Sequence, residues 1–278
     1  MLILGDLLGG MTMNFPVALQ LYSVRDDAAA DFVGTLKRVK KMGYDGVEFA
    51  GLYGYAPAEV KKLCEEIGLV PVSAHIPFVD MMENPELLRD YKEVGCQFAV
   101  IPYLTEEYRP GQTKFKEVIE GAKYLAGKAA EIGLKLCYHN HDFEFVKVDG
   151  EYAIDILYRE VPELMPQFDC CWVSVGGENP VDYIRKYAGR QEILHLKDYV
   201  GGKSENMYKL IGINEGEKKA KGTFEFRPVG YGVQNFPEIL AAAKEVDIKW
   251  VVVEQDEPSM EKTPLECAKL SIDYLRNI

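Results

Sequence analysis

The sequence predicts an α/β fold of one domain, a closed (β/α)8 barrel, from three observations. Short β-rich runs alternate with amphipathic helical stretches from Phe15 onward, the runs number eight, and polar side chains recur where the runs end. The length of 278 residues fits, because such barrels commonly take about 250 residues as one unit.

The predicted strands cover residues 17–22, 46–49, 69–75, 98–102, 134–139, 165–169, 193–197 and 250–254. Helical spacing of apolar residues marks 32–42, 57–67, 115–132 and 264–275 between or after them. Pro57 and Pro264 stand in first turns, and Gly43, Gly68 and Gly133 stand just past helix ends, the expected punctuation. Each of these glycines is followed almost at once by the next β-rich run, which reads as a tight αβ turn. An open, doubly wound sheet is the competing arrangement. It would favour a Gly-rich phosphate loop after the first strand, and Ser23, Val24, Arg25 and Asp26 stand there instead.

Residues 1–14 read as an extension outside the barrel, which is assigned to 15–278. The first thirteen residues lack the basic start and cleavage pattern of a secretory signal and are too short to span a bilayer. Residues 199–226 are polar, rich in Lys, Glu and Gly, and long for a βα connection, so a loop or small excursion over the barrel mouth is expected.

Composition excludes some functions. A formal charge of −12 argues against nucleic acid, whose binding rests on neutralising phosphates with Lys and Arg. No apolar run is long enough for a membrane helix. The six Cys are scattered without a CxxC, which suits reduced, buried thiols and a cytoplasmic location.

In a barrel of this kind the active site lies at the C-terminal ends of the strands. The polar residues there are Gln20, Glu48, His75, His139 with the stretch to Glu144, Asp169, His195 with Lys197, and Glu254. All four histidines of the chain belong to this set. One His at a strand end is more often a hydrogen-bonded core residue than a ligand, and Glu48 is as readily an orienting group as a catalytic one. The joint pattern is harder to dismiss. Carboxylates ending apolar strands are costly to bury unless paired, and a divalent cation among Asp169, His195 and Glu254 would pair them. Carboxylates with imidazole suit manganese, cobalt, magnesium or zinc. The densest cluster, 139–144, holds His139, His141, Asp142 and Glu144, and spacing does not decide which of them would touch an ion.

These stretches carry a resemblance that covers the chain from Val17 onward. LeuGlnLeuTyrSerValArgAsp (19–26), GlyTyrAspGlyValGluPhe (43–49), TyrHisAsnHisAspPheGluPhe (138–145), PheAspCysCysTrpVal (168–173) and HisLeuLysAsp (195–198) resemble the sugar phosphate isomerase/epimerase-like family, the xylose-isomerase-like barrels. The TyrHisAsnHis stretch is similar to one branch of it. The resemblance implies one divalent metal held by Glu, Asp, His and Glu at four strand ends. Asp169, His195 and Glu254 match the last three positions, and the first departs. His139 stands where the better-known epimerases end a strand with a Glu that also transfers protons. Glu144 is taken as the fourth ligand, with His139 as the alternative.

What the resemblance implies is a metal-dependent isomerase or epimerase acting on a sugar or keto-sugar through an ene-diolate. Glu254 or His141 would take the proton, and Lys197 would hold or protonate substrate oxygens. Glu48, His75, His139, Trp172 and Arg227 are the expected substrate contacts. A lyase or dehydratase acting on a 3-keto sugar or inosose is the alternative, and a non-catalytic sugar-binding barrel the second. A metal-dependent phosphodiesterase on the same barrel is disfavoured by the acidic charge and by only four histidines. The expected partner is an unphosphorylated sugar or polyol, since no Gly-rich phosphate cradle is visible, and the barrels of this family often pair as homodimers.

Overall fold

The structure, a computed structural model, describes residues 15–203 and 224–278. The expected extension 1–14 and the centre of the 199–226 segment lie outside the described residues. Eight parallel strands close into a barrel: β1 Val17–Gln20, β2 Gly46–Phe49, β3 Val70–His75, β4 Phe98–Ile101, β5 Lys135–His139, β6 Met165–Asp169, β7 Ile193–Leu196 and β8 Trp250–Val253. Each pairs with its sequence neighbours, and β1 closes on β8 through Val17 opposite Val251. The predicted strands therefore hold, each trimmed by no more than two residues.

Helices pack around the outside. Phe32–Met42 has Asp31 accepting from the Gly34 N–H at its start and ends at Gly43, where φ is 108°. Pro264–Arg276 opens with a capping box of Thr263 and Glu266. Leu87–Val94, Ala153–Glu160 and Phe236–Glu245, which are not among the helices expected above, fill the ring between the longer ones. The segment expected to be a loop from 199 is anchored by structure. Asp198–Val200 pairs antiparallel with Glu225–Arg227, so a ribbon rises where the connection leaves and re-enters the barrel.

Alternation along the strands divides the barrel interior into two levels. The lower level is apolar: Ala18, Val72, Phe98, Val100, Cys137, Ile193 and Val252 pack together. Two residues further along several strands, the same inward face carries Gln20, His139, His195 and Glu254, all buried. Backbone pairing thus delivers polar groups from the whole circumference to one end of the barrel. All six cysteines are free and buried, as expected. No helix among the described residues is long and apolar enough to cross a membrane.

Candidate active site

The deepest polar group at the strand ends is Glu48. Its Oε1 accepts from Gln20 Nε2 at 2.7 Å and faces His195 Nε2 at 2.7 Å and His75 Nε2 at 2.9 Å. Its Oε2 accepts from Ser73 Oγ and Gln167 Nε2, both at 2.6 Å. Burial alone pushes a carboxyl pKa upward, but His75 and His195 outweigh it and hold Glu48 well below the usual carboxylate range. Every lone pair of this carboxylate is engaged by the protein, so Glu48 is a floor on which the histidines stand.

Above it, His139, Asp169, His195 and Glu254 converge from β5, β6, β7 and the end of β8, with one ligand-capable atom of each within 4.8 Å of the others. His139 Nε2 lies 3.3 Å from Asp169 Oδ2 and 3.6 Å from Glu254 Oε2. His195 Nδ1 lies 3.1 Å from Glu254 Oε2. The group is buried throughout.

Two imidazoles and two carboxylates are a donor set suited to a divalent first-row ion. The local hydrogen bonds fit one as well. With an ion bound, a proton kept on His195 Nε2 would be donated to Glu48, and the Nδ1 lone pair beside Glu254 would be left for the ion. A carboxylate behind a ligating imidazole is the arrangement that fixes tautomer and ring orientation in metal sites. Without an ion, His195 has an acceptor on each ring nitrogen. Burial lowers its pKa, but Glu48 and Glu254 more than reverse that and raise it to about 10.

The fourth member of the cluster is His139, not Glu144. The expectation for Glu144 is corrected by its contacts: the Tyr138 hydroxyl donates to Oε1, and the His141 N–H donates to Oε2 at 2.8 Å. Tyr138 alternates outward on β5 while His139 points in, and the 3-10 turn Phe143–Phe145 carries Glu144 back toward the tyrosine. Burial raises the Glu144 pKa to about 7, despite these two hydrogen bonds that lower it.

A cavity of about 500 Å³ opens directly over the cluster, lined at its inner end by His75, His139, His141, Lys197, Glu254 and Asp256. Lys197 Nζ is 2.9 Å from both Asp256 Oδ2 and Glu254 Oε2, and 3.4 Å from Asp169 Oδ2. Burial opposes its charge, yet the three carboxylates, Asp256 foremost, raise its pKa well above the ordinary lysine value. His141 lies edge-on to Tyr103 and stacked on Phe143, with ring centroids 5.2 and 5.3 Å away, and its Nδ1 is buried with no hydrogen-bond partner among the described residues. Burial, with His139 and Lys197 nearby, lowers its pKa well below the ordinary value.

Of the expected substrate contacts, His75 and His139 line the cavity. Three do not. Glu48 lies beneath the histidines. Trp172 is fully buried behind Lys197, whose ammonium sits 5.4 Å from the indole. Arg227 lies on the ribbon and pairs with Glu225.

Four functional neighbours escaped the sequence reading. Asp256 follows Glu254 at the same alternation that joins Lys197 to His195, a signal that was available. Gln167 and Ser73 gave none, since an inward polar residue in mid-strand looks the same whatever it binds. Asn140, inside the dense 139–144 stretch, ties β5 to β6 by accepting from the Asp169 N–H at 2.9 Å.

Comparison with known proteins agrees with the fold. The description "xylose isomerase-like TIM barrel" belongs to the family model that matches residues 36–278. Inosose dehydratase of Geobacillus kaustophilus is 24% identical over 267 residues, covering 86% of this chain and 85% of that one. A sugar phosphate isomerase/epimerase from Parabacteroides distasonis superimposes with a TM-score of 0.73 at 23% identity, covering 99% and 98% of the two chains. A probable 3-DHS dehydratase from Bacillus anthracis gives 0.70 at 13% identity, covering 94% and 98%. At these identities the two structures speak for the fold.

Proposed function

The chain belongs to the xylose isomerase-like TIM-barrel family, and from that premise we propose that it dehydrates a cyclic polyol ketone, using one divalent ion. The observation that carries the proposal is the convergence of His139, Asp169, His195 and Glu254 beneath a cavity that His141 and Lys197 also line. The four-residue cluster would hold the ion, which when bound supplies a positive charge to stabilise a developing negative charge on the substrate carbonyl oxygen.

The remaining chemistry belongs to side chains. His141 lines the cavity with its ring immobilised by Tyr103 and Phe143, so it is placed to accept the proton from the carbon next to the carbonyl. Lys197, held by Asp256, faces the same space and gives the proton with which the neighbouring hydroxyl departs as water. One C–H and one C–O bond break, a C=C bond forms and one water leaves; His141 then gives its proton to solvent and Lys197 takes one back. Elimination is preferred over epimerisation for a reason in β5. Epimerisation through two carboxylates needs a proton-transferring Glu at the end of this strand, where His139 stands, and Glu144 is turned to Tyr138. The relative named inosose dehydratase, aligned over most of both chains, supports the same choice.

The test is incubation with manganese and a panel of inososes and keto-sugars in heavy water, read by mass spectrometry. The expected product has lost one water, and both Glu254→Gln and His141→Gln abolish it. A ketone that exchanges deuterium and changes configuration without losing water replaces dehydration with epimerisation. No exchange with any member of the panel, in protein shown to hold the ion, leaves a non-catalytic sugar-binding barrel.

A further inference from the structure

The cavity over the cluster is too large for its expected occupant. A six-carbon cyclic polyol is six CH(OH) units, and allowing each the ~30 Å³ of a liquid water gives about 180 Å³. The cavity offers about 500 Å³. A second pocket of about 230 Å³ adjoins it, sharing Pro77, Asp80, Pro102 and Tyr103 as a common wall and adding Phe78, Leu104 and Tyr108. A polyol seated on His139 and Glu254 therefore leaves more than half of the connected space unfilled.

The chemistry of that space changes with distance from the cluster. The inner end is polar. The outer wall is Tyr22, Ile76, Leu87, Tyr91, Pro102 and Tyr103, and beyond it Phe78 meets Tyr108 edge-on at a centroid separation of 5.7 Å. Tyr103 stands at the junction: its ring packs against His141 on the catalytic side and lines the second pocket on the other. Among the described residues, Lys197 is the only Lys or Arg lining either pocket, and three carboxylates engage it. Asp80, exposed, lines both. Arg25, Arg109 and Lys114 pack on the rings of Tyr22, Tyr103 and Tyr108 without lining the pockets, so what this end presents among the described residues is the flat apolar faces of its wall.

We propose that the site takes a sugar or polyol ring that bears an aromatic substituent, with the ring over the cluster and the substituent across Tyr103 into the pocket of Phe78 and Tyr108, phenyl glycosides serving as its probes. The proposal rests on the sugar-binding reading of the cluster and adds a second subsite to it. Aromatic substituents suit this wall because an aromatic ring presents a large apolar face at little conformational cost, and the walls are themselves aromatic.

The test is calorimetric titration of the manganese-loaded protein with phenyl glycosides of glucose, galactose and xylose, with the three free sugars, and with phenol. Burial of the phenyl ring is expected to tighten binding of at least one glycoside about tenfold or more over its free sugar. Tyr108→Ala, which empties the second pocket, and Thr105→Trp, which fills it from an exposed position, are each expected to remove most of that advantage while leaving free-sugar affinity unchanged. Free sugars that bind as well as their glycosides overturn the subsite and leave the sugar site standing. A glycoside advantage that survives both variants overturns it too. If neither sugars nor glycosides bind, the sugar reading fails and the subsite with it.

Discussion

Glu144 offers a quantitative test of the site's electrostatics. Its carboxyl is buried, accepts from the Tyr138 hydroxyl and the His141 N–H, and titrates near pH 7 in the folded chain rather than near 4.5. A raised folded pKa means that the folded state prefers the protonated form. The stability this confers is fully present below pH 4.5 and is lost as pH rises through about 7. A rise from 4.5 to about 7 corresponds to about 3 kcal/mol, at roughly 1.36 kcal/mol for each pH unit. In the Glu144→Gln variant the new side chain is neutral at every pH and nearly isosteric. Its gain over the wild type is therefore expected to grow from near zero around pH 4.5 to about 3 kcal/mol around pH 8. Other titrating groups are common to both proteins and cancel in the difference. Urea denaturation at half-unit pH steps, with equal slopes in the two proteins, reads this directly. Parallel stability profiles for the two proteins would refute the reasoning. Metal binding measured alongside is expected to be unchanged, because Glu144 stands outside the four-residue cluster.

Glu48→Gln is expected to weaken manganese binding by about 10- to 100-fold, since it replaces the carboxylate that orients His195 with a neutral group; chelator competition measures it, and unchanged affinity would remove Glu48 from the role assigned to it. Asp198→Ala leaves the N–H groups of Tyr199, Gly230, Gly232 and Gln234 without the carboxylate that now accepts from all of them. A loss of about 3 kcal/mol is expected, together with faster proteolysis between Pro228 and Asn235; a thermal midpoint indistinguishable from the wild type would count against it.

The barrel was legible because its strands are buried on both faces and write themselves as short apolar runs, each closed by a Gly turn or a polar end. The site was legible where alternation governs. His195 and Lys197 share a face of β7 and its extension, and the structure places His195 in the four-residue cluster and Lys197 at the cavity above it. Alternation also reached Asp256, beyond the point where the apolar run stops, and only the strand's apparent end concealed it. The choice between His139 and Glu144 depended on something else. It was made by Tyr138, which points away from the barrel, and by a three-residue turn, and neither leaves a periodic trace. Arg227 was misplaced for a related reason: the ribbon with Asp198–Val200 directs it to Glu225, and a hairpin in a polar connection has no apolar pattern to announce it.

The two levels of polar groups differ in how far the protein satisfies them, and this difference says where the reactivity lies. Glu48 receives donors from Gln20, Ser73, His75, Gln167 and His195, and needs nothing further. Asp169 and Glu254, one level up, are buried as deeply but share Lys197 and two histidines whose distances run from 2.9 to 3.6 Å. Burial opposes their charge, but Lys197 and the histidines hold both carboxyls below the usual range, and an ion bound among them would share that role, so its binding would add to stability. The lower level makes that link specific. By accepting from His195 Nε2, Glu48 would leave Nδ1 to an ion in the cluster, and a carboxylate that does not line the cavity would thereby act on the chemistry inside it.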